Sequence, residues 1–237
     1  MSVKTYNKVT HCIFDMDGLL LDTEQLYSEA FNRIANRYGK EVTWELKAQT
    51  MGFKTVDVIA FMIKTLELPI TVDEFQKEVV GNYRELFPRA NPMPGVVRLL
   101  THLKKNNIPI ALATGSDKLN YDLKTTRWHD LFEIFNHKVL GGSDSEVKRC
   151  KPNPDIFFIA ARRFSDNPDP SKCLVFEDAP NGVQAAIKAG MQVVMVPDPN
   201  LPKEYTKEAT LVLNNLEEFQ PEMFGLPMYE KNNESSI

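Results

Sequence analysis

The sequence predicts an α/β fold in which a parallel sheet carries a second, all-helical domain inserted after its first strand. Three observations lead to this prediction. Residues 9–14 form an apolar run of strand length, residues 24–88 show helical periodicity without a convincing strand, and short apolar strands alternate with helices from residue 94 onward. Because such alternation is typical of parallel βαβ units, we expect the first strand to share a sheet with the later ones.

The first predicted strand, Val9 to Phe14, has the Cys, Ile and Phe content of a buried strand. It stops at two acids, Asp15 and Asp17, which flank Met16 and are followed by Gly18. Ligands of open α/β sheets bind outside the carboxyl ends of the strands, so this acid pair indicates a site rather than a solvated surface.

Three helices are predicted in the insert. Apolar residues recur at three-and-four spacing from Glu24 to Tyr38, where Gly39 ends the helix. The same spacing continues from Thr55 to Leu68, and Pro69 stops it. A capping box at residues 71–74 starts a third helix that runs to about Phe87. The insert is therefore expected to be all helical.

The alternating elements beyond residue 94 are short and separated by turn residues. The predicted strands are 108–113, 138–140, 173–176, 193–196 and 210–213. The predicted helices are 95–105, one from about 118, 155–164, 182–189 and a short one after the last strand.

Two linkers divide the chain, Asp22-Thr23 and the proline-containing segment 89–94. We predict a core domain formed by residues 1–22 and 89–237 and a cap domain formed by residues 23–88, with boundaries placed to within about four residues. Residues 230–237 form a polar tail that we expect to be disordered.

Composition excludes several classes of partner. The chain has 237 residues, 43% of them hydrophobic, which suffices for a proper core. With 25% charged residues, a net charge of −4 and no basic block, nucleic acid polymers and anionic membranes are not expected partners. The three cysteines, Cys12, Cys150 and Cys173, are too few and too widely spaced for a disulfide framework or a zinc site. No secretory leader or membrane span stands out, so we expect a cytoplasmic monomer that acts on a small molecule.

Four strand or loop ends carry residue types that handle phosphate. They are Asp15 with Asp17, Thr114 with Gly115, Lys151, and Glu177 with Asp178. Four carboxylates that converge within a few ångströms cannot all ionise unless a cation lies among them. Hard oxygen donors suit Mg²⁺, whereas zinc prefers His or Cys, and the four histidines show no ligand spacing. Mg²⁺ is therefore the expected cofactor.

These groups suggest phosphoryl transfer. Asp15, at the strand tip, is the candidate nucleophile, which would form an aspartyl-phosphate intermediate. Asp17 would protonate the departing alcohol and later take a proton from the attacking water. The groups that would bind the phosphate oxygens are the Thr114 hydroxyl, the Lys151 ammonium and the amides of Met16, Asp17 and Gly115.

Each signal also has a structural alternative. An Asp-x-Asp-Gly sequence fits a tight turn, Thr114 or the pair Glu177-Asp178 fits a helix cap, and Lys151 fits a solvated loop. A calcium loop that starts at Asp15 is excluded, since its sixth and twelfth positions hold leucine rather than Gly and Glu. The ordered set of four signals favours a site over the separate alternatives.

The four segments stand in the order of the four motifs of the haloacid dehalogenase (HAD) superfamily, which the chain resembles over nearly its whole length. They are Asp15-Met16-Asp17-Gly18-x-x-x-Asp22-Thr23, Ala113-Thr114-Gly115-Ser116, Lys151-Pro152-x-Pro154-Asp155 and Phe176-Glu177-Asp178-Ala179-Pro180-Asn181-Gly182. The resemblance implies a Rossmann-like core with a helical cap between the first two motifs. It also implies Mg²⁺ held by Asp15, the backbone carbonyl of Asp17 and Asp178, with Glu177 close to the ion or its waters.

Within the superfamily, Asp17 implies a phosphatase or a phosphomutase, because dehalogenases lack the second acid and P-type ATPases carry Lys-Thr-Gly after the nucleophile. Sugar phosphomutases typically carry a His and an Arg in the cap where Tyr27 and Thr55 stand here, so hydrolysis is favoured. Phosphonate hydrolysis would need a cap lysine acting through a Schiff base, and Lys54 keeps that alternative open.

The segments 173–183 and 189–198 and the ending Phe224-Gly225-Leu226-Pro227 resemble the pseudouridine-5′-phosphatase group of the superfamily. This resemblance implies hydrolysis of pseudouridine 5′-phosphate to pseudouridine and phosphate. Sugar phosphates, glycerol phosphate and FMN are alternative substrates, and a phosphomutase or a non-catalytic phosphate sensor is an alternative function. Cap residues such as Phe53 and Met62 either line a nucleobase pocket or pack inside the cap.

Overall fold

The computed structural model describes residues 5–49 and 55–230. Its strands form one parallel sheet. They are β1 (His11–Phe14), β2 (Ile110–Thr114), β3 (His137–Leu140), β4 (Cys173–Glu177), β5 (Gln192–Met195) and β6 (Leu211–Val212). Their order across the sheet is β3-β2-β1-β4-β5-β6. The predicted α/β class, with a parallel sheet and a helical insert after its first strand, is confirmed.

The helices alternate with the strands after the insert. Within the described residues they are α1 (Glu24–Ala35), α2 (Trp44–Gln49), α3 (Thr55–Leu66), α4 (Val72–Leu86), α5 (Val96–Lys105), α6 (Lys118–Thr125), α7 (His129–Phe132), α8 (Asp155–Arg162) and α9 (Pro180–Lys188). The sequence did not predict α2 and α7, because six and four residues are too few to show a helical repeat of apolar side chains. The short helix predicted after the last strand consists of two 3₁₀ turns, Leu216–Glu218 and Pro221–Phe224.

The strand order reverses between β1 and β4, which pair in register from His11 with Cys173 to Phe14 with Phe176. A crevice opens at the carboxyl ends of the strands at such a reversal point. Asp15 directly follows β1 and Asp178 directly follows β4. The topology therefore brings these two acids to the mouth of the same crevice.

Helices cover both faces of the sheet. On one face, Ile13 and Val175 pack with side chains of α8 and α9. On the other face, Phe14 and Phe176 stack with ring centroids 4.5 Å apart and pack with α5 and the C-terminal 3₁₀ turns. All four residues of β1 are buried, as expected of a parallel strand covered on both sides. The strand that leads to Asp15 and Asp17 is thus packed on both of its faces.

The helical insert has a hydrophobic cluster of its own, to which Phe31, Ile59 and Phe75 belong. The predicted capping box at the start of α4 is present: Thr71 Oγ1 accepts a hydrogen bond from the Glu74 amide, and the Glu74 carboxylate accepts one from the Thr71 amide. The predictions for Phe53 and Lys54 fall outside the described residues, as do those for the tail from residue 231 onward.

The two segments predicted as linkers run side by side. Leu21 forms an antiparallel bridge with Pro92, and the Asp22 amide donates to the Asn91 carbonyl oxygen at 2.9 Å. Trp128 Nε1 donates to the Ala90 carbonyl oxygen at 2.8 Å, which ties the second segment to the core. No helix in the described part of the chain is both long enough and apolar enough to cross a bilayer.

Candidate active site

The crevice is built around Lys151, whose ammonium joins two strand ends. Its Nζ donates to Asp15 Oδ1 at 2.5 Å, to Glu177 Oε1 at 2.6 Å and to the Ala113 carbonyl oxygen at 3.1 Å. An ammonium has three donors, so Lys151 is fully used by β1, β2 and β4 together. Burial alone would lower the pKa of Lys151, but Asp15 and Glu177 outweigh that effect and raise it, so the side chain remains charged.

Glu177 is fixed from a second side by the start of α9. Its Oε2 accepts hydrogen bonds from the amides of Asp178 at 3.1 Å and Ala179 at 3.3 Å. The residue is 1% exposed. A buried carboxylate with an ammonium on one oxygen and two amides on the other is held in a single position.

Asp15, Glu177 and Asp178 form an acidic cluster in which one oxygen from each residue lies within 4.8 Å of the others. Burial raises the pKa of Asp15 to about 7. The Lys151 ammonium lowers this pKa in part, while the negative charges of Glu177 and Asp17 raise it further. Burial, and then the charges of Glu177 and Asp15, raise the pKa of Asp178 well above its usual value. One ammonium does not balance this cluster, and its hard oxygen donors fit a divalent cation such as Mg²⁺.

Gly18 lets Asp178 approach the first strand end. A Cβ at Gly18 would overlap Asp178 Oδ2, and the φ of Gly18 is +78°, a conformation that side chains other than glycine rarely adopt. Gly18 is therefore needed both for the turn that follows β1 and for the close approach of Asp178, which is a candidate metal ligand.

The carboxylate of Asp17 lies in a separate network, away from Lys151. Thr23 Oγ1 donates to its Oδ1 at 2.8 Å, Ser116 Oγ donates to its Oδ2 at 2.9 Å, and Thr114 Oγ1 lies 3.4 Å from the same Oδ2. The ammonium of Lys124 is 2.5 Å from Oδ1. Burial acts to raise the pKa of Asp17, but Lys124 and the hydroxyl hydrogen bonds outweigh it, so the pKa lies below its usual value.

Sequence reasoning missed Lys124. The residue is on α6, where a lysine is expected to face solvent, yet it is 1% exposed. One signal was present, since Lys124 stands three residues after Tyr121 and therefore on the apolar side of the helix.

Two residues were predicted to bind phosphate, Met16 through its amide and Thr114 through its hydroxyl, and the side chain of neither lines the crevice. The Met16 side chain is buried in the hydrophobic core, so only its amide could reach a phosphate. Thr114 is fully buried, and its Oγ1 accepts a hydrogen bond from the Ser116 amide at 3.1 Å besides its contact with Asp17. Gly115 and Lys151 line the crevice, which has a volume of about 430 Å³.

A second cavity of about 330 Å³ adjoins the crevice and lies mostly against the helical insert. Five residues line both spaces: Glu24, Tyr27, Asp178, Ala179 and Asn181. The walls of the second cavity include the aromatic side chains Tyr27, Phe31, Trp44 and Tyr83, and Met62 also contributes. This volume falls in the range of small-molecule sites, so a phosphate in the crevice would have room for its alcohol part here.

The second cavity also has polar groups. Lys47 Nζ donates to Glu24 Oε2 at 3.0 Å and to Ser28 Oγ at 2.8 Å, which places a charged pair at its wall. The Tyr83 hydroxyl is buried and has no hydrogen-bond partner within residues 5–49 and 55–230. A buried hydroxyl without a partner is unusual in a folded protein, and here it belongs to a cavity-lining residue.

Comparison with known proteins relates the chain to a family of hydrolases. The sequence model of the haloacid dehalogenase-like hydrolase family matches residues 9–190. A protein of Drosophila melanogaster named "Probable pseudouridine-5′-phosphatase" is 52% identical over 229 residues, which cover 97% of this chain and 99% of the fly protein. The "(DL)-glycerol-3-phosphatase 1, mitochondrial" of Arabidopsis thaliana is 48% identical over 225 residues, which cover 94% of this chain and 75% of the plant protein.

Solved structures show the same relationship. The structure described as "putative beta-phosphoglucomutase from Thermotoga maritima" superposes with a TM-score of 0.72 and 32% sequence identity. The superposition covers 91% of this chain and 97% of the other. The likeness therefore includes the helical insert as well as the sheet.

Proposed function

The chain belongs to the haloacid dehalogenase-like hydrolase family, and from this premise we propose that it is a Mg²⁺-dependent phosphomonoesterase that works through an aspartyl-phosphate at Asp15. That it is a phosphatase of phosphorylated small metabolites follows from the family and from close relatives named as phosphatases. The observation that supports the mechanism is the placement of Asp15, which lies at a strand end, is hydrogen-bonded to the Lys151 ammonium and belongs to one acidic cluster with Glu177 and Asp178.

The residues proposed to hold Mg²⁺ are Asp15, Asp178 and the backbone carbonyl of Asp17, with Glu177 next to the ion or its waters. Their oxygens are the ligand type that Mg²⁺ prefers. When bound, the ion supplies positive charge to the phosphoryl oxygens and relieves the repulsion within the acidic cluster.

The proposed reaction has two steps. A carboxylate oxygen of Asp15 forms a bond to phosphorus while the bond from phosphorus to the alcohol oxygen breaks. Because the pKa of Asp17 lies below its usual value in this structure, Asp17 would take up a proton from solvent when the substrate binds, and it gives that proton to the alcohol oxygen. Water then attacks the phosphorus, its proton goes to Asp17, and the bond to Asp15 breaks to release phosphate. Lys151 and the amides of Met16, Asp17 and Gly115 bind the phosphoryl oxygens, and Thr114 supports them through Ser116 and Asp17.

We propose that the chain has two domains with separate roles. Residues 1–22 and 89–237 form the core, and residues 23–88 form the cap. The core residues handle the phosphate, and the cavity in the cap receives the alcohol part. Closure of the cap over the bound substrate would exclude bulk water from the acyl phosphate.

The proposed substrate is pseudouridine 5′-phosphate. The name of the fly relative supports it, and so do the aromatic walls of the 330 Å³ cavity, which suit a flat heterocycle. Glycerol phosphate is the first alternative because of the name of the Arabidopsis relative. FMN and sugar phosphates complete the set of candidates.

The test is phosphate release from a panel of these monophosphates, with Mg²⁺ and with EDTA, by the wild type and by Asp15→Asn. We expect the highest kcat/KM for pseudouridine 5′-phosphate, no turnover in EDTA, and a loss of many orders of magnitude in Asp15→Asn. Near-normal turnover by Asp15→Asn would refute the covalent route. Interconversion of a phosphosugar without phosphate release would identify a phosphomutase instead.

A further inference from the structure

Lys124 carries one of the most deeply buried charges of the structure. Its side chain is completely shielded from solvent, and all three ammonium donors are used. They go to Asp17 Oδ1 at 2.5 Å, to Tyr27 Oη at 2.7 Å and to Ser116 Oγ at 2.9 Å. An ammonium is costly to bury unless it is paired and fully hydrogen-bonded, and both conditions are met here.

The arrangement around Asp17 shows what Lys124 contributes. Thr23 and Ser116 each donate one hydroxyl hydrogen bond to the carboxylate, whereas Lys124 donates from an ammonium and so adds an opposite charge to the hydrogen bond. Lys124 also donates to Ser116 Oγ, so it holds one of the hydroxyl donors as well. Among these three residues, Lys124 therefore has the largest influence on where the Asp17 carboxylate lies.

Lys124 also connects the core to the insert. It belongs to α6 of the core, but its Nζ lies 4.7 Å from the ring centroids of both Tyr27 and Phe87. Tyr27 is on α1 of the insert and lines both the crevice and the second cavity. A cation enclosed by two aromatic faces and a carboxylate is fixed on several sides.

We propose that Lys124 is a positioning residue for Asp17. It fixes the carboxylate between the crevice and the first helix of the insert, so that Asp17 can reach the alcohol oxygen and, later, the attacking water. This inference rests on the proposed function, in which Asp17 moves both protons. In this proposal Lys124 does not contact the substrate. Its replacement slows only those steps in which Asp17 transfers a proton.

The consequence can be measured with two kinds of leaving group. An alkyl alcohol needs a proton as it departs, whereas p-nitrophenolate departs without one. The value of kcat/KM reports the steps up to departure of the alcohol, so misplacing Asp17 should lower it for alkyl substrates only. Hydrolysis of the aspartyl-phosphate needs Asp17 with either substrate.

The experiment compares Lys124→Met with the wild type and with Lys118→Met, which removes an exposed lysine from the same helix. For Lys124→Met we expect kcat/KM for glycerol 3-phosphate or pseudouridine 5′-phosphate to fall on the order of a hundredfold. The value for p-nitrophenyl phosphate should stay near that of the wild type, with a burst of nitrophenol in the first turnover. Lys118→Met should match the wild type in all three measurements.

A parallel fall of kcat/KM for both kinds of substrate, or no fall for either, would overturn the proposal. If Lys124→Met does not fold, the same rate constants are measured on Lys124→Gln, whose amide still donates hydrogen bonds. Failure of both variants to fold would also overturn it, because Lys124 would then serve the fold itself. Asp15→Asn is assayed beside them: turnover by that variant contradicts the proposed function whatever the Lys124 variants do.

Discussion

Gly182 lies directly against the carboxylate of Glu177. A Cβ at Gly182 would overlap both the carboxylate carbon and the oxygens of Glu177. Glu177 cannot move aside freely, because Lys151 holds one of its oxygens and the amides at the start of α9 hold the other. The glycine on the helix thus preserves the position of the acid on the strand.

Gly182→Ala should therefore damage the site. The added methyl group must displace the Glu177 carboxylate and with it the Lys151 ammonium that binds Asp15. A shift of about 1 Å in catalytic groups costs on the order of a hundredfold in rate, and we expect a loss of that size in kcat/KM for p-nitrophenyl phosphate.

Gly81→Ala is the matched control for that variant. Gly81 is inside α4, and a Cβ there would meet nothing within 4 Å. Alanine is the better helix former, so Gly81→Ala should raise the free energy of unfolding by about 0.5–1 kcal/mol and leave kcat/KM unchanged. Wild-type activity in Gly182→Ala would show that Glu177 tolerates displacement.

Asp17→Asn should separate the two proposed steps. Asparagine keeps an oxygen that can accept the Lys124 and Thr23 hydrogen bonds, but it cannot carry a proton. With p-nitrophenyl phosphate we expect one nitrophenol per enzyme, followed by slow turnover and a phosphorylated protein that mass spectrometry detects. Normal steady-state turnover by this variant would remove Asp17 from the second step.

Removal of Mg²⁺ should lower stability as well as activity. Asp15 and Asp178 repel each other in the absence of a cation, and both have raised pKa values. A ligand that binds only the folded state at about a hundred times its Kd adds about 2.7 kcal/mol. We therefore expect the wild-type Tm to rise on addition of Mg²⁺.

Asp178→Asn tests whether that rise comes from the acidic cluster. The substitution removes one of the repelling charges, so the Tm of this variant in EDTA should equal or exceed that of the wild type and should respond little to Mg²⁺. The exposed surface acid Asp122 provides the control, since Asp122→Asn should keep the wild-type response. A full Mg²⁺ response in Asp178→Asn would place the ion elsewhere.

Sequence order was enough to place Asp15 and Asp178 at the same edge of the sheet, because both directly follow strands of a parallel sheet, and the observed pairing of β1 with β4 makes them neighbours. Lys124 could not be identified in this way. Its burial depends on how α6 packs against Tyr27 and Phe87, which are distant in sequence and belong to the insert. A periodic pattern says which side of a helix faces inward, but it does not say which side chain of another element lies opposite.

Met62, which the sequence offered either as a pocket residue or as a core residue, both lines the cavity and packs in the hydrophobic cluster of the insert. The aromatic walls of the cavity could not be predicted, for a similar reason. Trp44 lies on the short helix α2, which has too few residues for a visible repeat, and Tyr83 is at a core-facing position of α4. Tyr83 therefore looks like an ordinary core residue in the sequence. Only the three-dimensional arrangement shows that its hydroxyl is left without a partner in the described part of the chain.

Tyr83→Phe should stabilise the protein and weaken substrate binding at the same time. The ring packs against Phe87 with centroids 4.4 Å apart, and phenylalanine keeps that contact. Since a buried hydroxyl without a partner costs about 1 kcal/mol or more, its removal should raise the free energy of unfolding by about 1 kcal/mol. If the hydroxyl binds the alcohol part of the substrate, KM for pseudouridine 5′-phosphate should rise about tenfold, equal to one lost hydrogen bond. The KM for p-nitrophenyl phosphate should change less.

Tyr229→Phe separates the effect on the free energy of unfolding from the effect on substrate binding. The Tyr229 hydroxyl is also buried without a partner in the described residues, but its ring packs against Arg98 and His102 and lines neither cavity. We expect a similar gain in the free energy of unfolding from urea denaturation and no change in either KM. A rise in KM for Tyr229→Phe would mean that the rise in KM for Tyr83→Phe comes from the greater stability of the fold and not from a lost contact with the substrate. An unchanged KM in Tyr83→Phe would mean that the substrate does not reach the Tyr83 hydroxyl.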